Sequence, residues 1–179
     1  MNGTRLLFIG AAATMLAVVS LRAGVRVSST EPKENVVALL TASGQYVTAN
    51  PPSNLELGAV KIGSKQTFTI IDLNGEGLED GDEVMIRYTP NSGGKPDPSK
   101  SSYWQEVKEG VKRSKEGDVF KVKRVDTKYA IQVQSGKYVG GPLPGGFLAI
   151  TENQQGALLV ELVDLSQGIP KKTQKPDAD

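Results

Sequence analysis

From Asn35 onward the chain alternates apolar and polar residues in short runs broken by Gly, Pro, Asn and Ser, the period-two pattern of half-buried strands and turns. Val37, Leu39 and Thr41 share one face of "VALLTA" (37–42), and Tyr129, Ile131 and Val133 share one face of "YAIQVQ" (129–134). Each run leads into nearly the same phrase, "SGQYV" at 43–47 and "SGKYV" at 135–139. Between them "VMIRY" (84–88) sets Val84, Ile86 and Tyr88 in the same phase. It reaches Tyr103-Trp104 only after the Pro/Gly/Ser/Lys stretch "TPNSGGKPDPSKSS". Tyr46, Tyr103 and Tyr138 are therefore read as equivalent, with Val47, Trp104 and Val139 following them, and the stretch as a loop insertion of about eight residues.

A further strand closes each unit: "TFTII" (67–71), "VFKVK" (119–123) and "LLVEL" (158–162), with Phe68, Phe120 and Leu159 expected in one equivalent place. The units run at about 36–82, 83–126 and 127–166. Three all-strand units of this length, without helical periodicity, predict an all-β chain closed as a single β-trefoil.

The stretch "ASGQYVTA…QTFTIIDLNGEGLEDGDEVMIR" resembles the fascin-like, actin-crosslinking type of β-trefoil, with its Gly-x-Tyr turn, its "F-x-hydrophobic" strand and its Gly-Asp restart. The resemblance runs from Asn35 to Leu165. It implies a rigid interaction block, since the family includes actin bundlers and glycan-binding modules. The Gln-x-Trp signature of ricin-type lectin trefoils is absent.

Ahead of this pattern, residues 6–21 ("LLFIGAAATMLAVVSL") carry no charge and are flanked by Arg5 and by Arg22 and Arg26. Sixteen residues fall between a signal-peptide core and a spanning helix of about 20 residues. Snorkelling arginines and an extension through Val25 favour an uncleaved N-terminal anchor, with membrane contact over residues 6–25; a cleaved signal peptide is the alternative. Arg22, Arg26 and Lys33 after the span, against Arg5 and the α-amino group before it, tilt the C-terminal domain toward the cytosol. The expected organisation is an anchor at 1–26, a linker at 27–34, a β-trefoil at 35–166 and a polar tail at 167–179.

Composition narrows the chemistry. The chain has 21 basic and 20 acidic residues, so no basic field points to nucleic acid, and none is expected as a partner. With no Cys and no His, it has no thiolate nucleophile, no His-dependent triad and no Cys/His zinc set. The expectation is a non-enzymatic protein without a cofactor.

Four stretches remain as candidate sites. "DLNGEGLEDGDE" (72–83) approaches a calcium loop, with Asp72, Asn74 and Glu76 on alternate residues, Gly77 at the sharp turn and Glu83 last. A hairpin-rich junction between units explains the same residues, and no metal is expected. Tyr103 and Trp104 form an aromatic pair that could stack on a partner, although the repeat makes one of them core. Lys112 and Arg113, in the basic "GVKRSKEGDVFKVKR" (110–124), could meet an anionic surface. "GGPLPGGF" (140–147) lacks the helix of a phosphate loop and reads as a turn.

The function expected from these features is a membrane-tethered structural or adaptor protein. Its trefoil would dock onto a protein assembly, either a cytoskeletal cortex or the capsid lattice of a virus with an internal membrane. The alternative is an exported or surface-displayed glycan-binding trefoil.

Overall fold

The computed structural model describes residues 31–108, 110–143 and 147–169. The expected anchor over residues 6–25 lies outside the described residues, as does most of the polar tail. Among the described residues no helix is long and apolar enough to cross a membrane, and every element longer than a single 3₁₀ turn is a strand.

The first unit holds β1 (Lys33–Thr41), β2 (Tyr46–Asn50), β3 (Asn54–Ala59) and β4 (Phe68–Asp72). The second holds β5 (Glu83–Tyr88), the small hairpin β6 (Asn91–Ser92) and β7 (Lys95–Pro96), then β8 (Ser102–Val107), β9 (Gly110–Ser114) and β10 (Phe120–Val125). The third holds β11 (Lys128–Gln132), β12 (Tyr138–Pro142), β13 (Leu148–Thr151) and β14 (Val160–Asp164). β1 thus starts inside the segment read as linker, two residues before Asn35.

All pairings are antiparallel, and the main ladder returns on itself. β1 pairs with β4, β4 with β5, β5 with β10, β10 with β11, β11 with β14, and β14 with β1. This ring is a closed barrel without a free edge, which removes the usual hazard of exposed strand edges. Three hairpins join it, β2–β3, β8–β9 and β12–β13. Each enters through a tyrosine in one register, Tyr46 opposite Leu40, Tyr103 opposite Arg87 and Tyr138 opposite Gln132.

The core follows from this register. The inward positions of the first strand of each unit are Val37, Leu39 and Thr41, then Val84, Ile86 and Tyr88, then Tyr129, Ile131 and Val133; all are buried except half-buried Tyr129. Each hairpin seals the barrel with two more buried side chains, Val47 and Leu55, Trp104 and Val111, Val139 and Leu148. Phe68 lies opposite Val37 and Phe120 opposite Val84, but Val160, not Leu159, lies opposite Tyr129. The expected equivalence of Leu159 is therefore off by one residue. Val160 is buried and Leu159 is half-exposed, because a one-residue slip sends a strand side chain to the other face.

The insertion is also longer than expected. Fifteen positions separate Tyr88 from Tyr103, against five from Thr41 to Tyr46 and five from Val133 to Tyr138, a difference of ten. The extra residues fold as the β6–β7 hairpin and the 3₁₀ turn Pro98–Lys100, whose Asp97 cap accepts the Ser99 N–H.

Close approach of hairpins fixes one glycine. A Cβ at Gly110 would overlap the Leu148 carbonyl oxygen on β13, which pairs with β9 at this point. Gly110→Ala is expected to cost about 1–3 kcal/mol, as overpacking of a tight contact does. A thermal melt by circular dichroism would show the lowered midpoint, whereas Gly141→Ala on β12, where the backbone is not left-handed, meets no neighbouring atom.

Candidate functional site

Strand alternation divides the expected binding cluster. On the β8–β9 pair, Trp104 stands opposite Arg113 on the inner face, while Tyr103, opposite Ser114, and Gln105, opposite Lys112, share the outer face. Tyr103 and Lys112 remain partly exposed, whereas Trp104 and Arg113 do not. The four residues thus form no common surface.

Trp104 is 1% exposed and packs edge-on against both Phe68 (centroids 5.9 Å, 88°) and Phe120 (6.3 Å, 90°). This T-shaped arrangement sets each ring edge against its neighbour's electron-rich face. The indole is therefore core and offers no stacking surface.

Arg113 is a clamp. Its Nη2 donates to the Asn50 carbonyl (2.6 Å) and the Pro52 carbonyl (3.4 Å), its Nε to the Asn54 carbonyl (3.4 Å) and its Nη1 to Ser102 Oγ (3.2 Å). The guanidinium carbon lies 4.8 Å from the Tyr88 ring centroid, within cation–π range. Together these contacts fasten the β2–β3 turn of the first unit to the second. Burial lowers the Arg113 pKa from its ordinary value, and the neighbouring Tyr88 opposes that fall.

Burial raises the Tyr88 pKa above its ordinary 10.0, and the Arg113 charge opposes that rise. A raised folded pKa means that stability is fully present below the unfolded value and is lost as pH climbs through the folded one. The denaturation midpoint is therefore expected to fall above pH 10, in the range where Tyr88 must ionise. Urea titrations on either side of that pH should show a smaller fall for Tyr88→Phe.

The acidic junction residues serve the fold in a similar way. Asp72 is fully buried, and its carboxylate accepts the N–H groups of Asn74 (3.2 Å) and Gly77 (3.0 Å). Asp82 accepts from Glu79 N (2.6 Å) and Asn74 Nδ2 (2.8 Å), and Asp80 accepts from Arg124 N (2.8 Å) on β10. Glu76 is exposed, and Glu83 faces Lys121 at 3.8 Å. Of the four candidate calcium ligands, Asp72 is thus spent on the turn. Among the described residues no group of three or more acidic side chains is arranged to hold a metal ion.

The site that sequence reasoning missed lies on the outer wall of the barrel. A groove of about 670 Å³ runs across the outward side chains of β1 (Glu34, Val36), β4 and the turn before it (Ser64, Thr67, Thr69), and β5 and the residue after it (Arg87, Thr89). The insertion closes one side with Asn91, Pro96, Pro98 and Ser101, beside Tyr103. The chain after β14 closes the other, where Leu165 donates its N–H to the Val36 carbonyl (2.8 Å) and Gly168 and Ile169 follow.

At the centre of the groove Arg87 and Glu34 form a two-pronged ion pair (3.0 and 2.6 Å). Arg87 stands directly opposite Tyr103, and its pKa is raised, first by the hydrogen bond to Glu34. Arg87 Nε is buried with no hydrogen-bond partner. Around this pair the wall mixes hydroxyls with apolar carbon, and Val36 (37%) and Ile169 (45%) are among the most exposed large apolar residues described. Such a surface can bind, through apolar anchoring and fixed polar contacts, but its one central carboxylate is tied up in the ion pair.

No family model matches this chain, and the search of curated proteins found no match.

Proposed function

We propose that the chain is a β-trefoil of the fascin-like type, tethered through its N-terminal segment, which acts without catalysis as an adaptor docking onto a protein assembly. Six ring strands with three tyrosine-entered hairpins support the trefoil assignment, two ring strands and one hairpin coming from each unit. The observation that carries the functional part is the position of the groove. It lies where the ten-residue insertion breaks the threefold pattern, so one face of an otherwise repetitive barrel is made unlike the other two. A cytoskeletal cortex or a viral capsid lattice would both use such a tethered block.

The glycan reading has less support. Trp104, the side chain best suited to stack on a sugar, is sealed inside. The tether and orientation are tested by protease treatment of membrane vesicles containing the full chain, followed by intact-mass measurement. Full-length protein in the membrane, with its barrel cut from the cytosolic side, is the expected result. A species lacking the first segment, or a barrel protected in the lumen, contradicts the tethered-adaptor reading and sends the protein to a glycan array.

A further inference from the structure

We infer that the side-wall groove accepts an extended acidic segment of a partner protein, anchored by an aliphatic side chain; this rests on the adaptor reading and names the docking chemistry. The anchor surface is Val36 with Ile169, which leave apolar area open in the groove wall. A partner aliphatic side chain seated there would remove apolar area from water on both sides, the usual centre of a docking surface.

Charge selects the flanking chemistry. Glu34, the one acid lining the groove, is taken by Arg87; beside the groove Asp97 is taken by Lys100 at 3.0 Å and by Ser99, and Asp164 accepts from the N–H and hydroxyl of Ser166. Three of the lysines around the groove, unlike Lys100, are left without an acid. Lys65 is exposed in the turn between Ser64 and Thr67, and Lys95 is exposed on β7, next to Pro96. Neither forms an ion pair among the described residues. Lys115 spends its ammonium on the carbonyls of Ser99 (3.2 Å) and Ser101 (3.4 Å), which leaves its charge uncompensated. A hydroxyl and apolar floor under a surplus of lysine charge favours a segment with carboxylates on either side of its anchor. The concave shape favours a chain segment over the flat surface of a bilayer.

Selection of random short peptides on phage against the full chain in detergent micelles reads this chemistry directly. The recovered peptides are expected to carry Asp or Glu around a Leu, Ile or Val. Their affinity should fall with rising salt, and drop about tenfold or more in Lys65→Glu/Lys95→Glu, in keeping with lost charge complementarity. Both substitutions are at exposed positions and leave the core untouched, so the result does not depend on a variant that fails to fold. Lys108→Glu, at the β8–β9 turn, should leave binding unchanged, and Val36→Asp should abolish it.

Peptides without acidic enrichment, or peptides indifferent to the charge reversal, would overturn the inference. So would a groove that selects no peptide but binds phosphatidylserine vesicles with sensitivity to the same double variant. The adaptor reading fails separately, on the protease-protection result, and survives a partner that docks on another face.

Discussion

Trp104→Ala should be the most damaging single substitution in the barrel, lowering stability by about 3–5 kcal/mol as large aromatic truncations in cores do. The reason is geometric. Trp104 sits between Phe68 of the first unit and Phe120 of the second, edge-on to both, so its loss leaves two rings from different units facing a void. A tightly packed interior relaxes only in part around such a void. Trp104→Phe should cost far less, about 1 kcal/mol, because it keeps an aromatic ring in place and also removes the indole N–H, which is buried without a partner. Urea denaturation followed by circular dichroism distinguishes the two, since removal of the only Trp removes the fluorescence probe. Equal and small losses for both variants would place the indole at the surface and contradict the packing described here.

The second large effect is expected from Arg113→Ala, at about 2–3 kcal/mol, the scale of losing hydrogen bonds made by a charged donor. Here the loss falls on a junction between units. Without the guanidinium, the carbonyls of Asn50, Pro52 and Asn54 lose a shared donor, and the Tyr88 ring loses the cation over its face. The Arg113 backbone N–H still donates to the Ser53 carbonyl (2.8 Å), so the turn should loosen without detaching. Arg113→Lys should recover only part of the loss, because a single ammonium cannot span contacts that the planar fork reaches together. Hydrogen exchange should show faster opening of residues 50–54 in both variants, with the effect larger in Arg113→Ala. An effect confined to β9 would contradict the clamp.

These two residues also mark what the sequence made legible. The inward triplets Val37/Leu39/Thr41, Val84/Ile86/Tyr88 and Tyr129/Ile131/Val133 were readable because period two with one buried face is a strong local signal. The tyrosine equivalence was readable because each tyrosine follows its strand at a turn. Leu159 was misplaced because residues 157–160, "ALLV", are apolar without a break, so alternation cannot choose the phase and only the pairing of Val160 with Tyr129 does. Arg113 was read as part of a basic surface because its charge outweighed its position. Buried Val111, two residues earlier on the same strand, was the available signal that Arg113 points inward.

The groove had no local signature. Glu34, Thr67, Arg87 and Leu165 are distant in the chain, and each sits at a polar or terminal position that a strand pattern leaves unremarked. Only closure of the ring brings them to one wall. The long loop was visible as an insertion. That it walls a groove was not, because loop direction depends on the register of the strands it joins.

The most direct test of docking through this wall is site-specific photocrosslinking in the full chain inside the cells that make it. A photoreactive residue in place of Pro98, at the groove, is compared with one in place of Lys108, outside it. The account predicts a discrete crosslinked protein species from position 98 that is lost in Lys65→Glu/Lys95→Glu, and none from position 108. Crosslinks only from position 108, or none from either position while the full-length chain is present, would contradict docking through this groove.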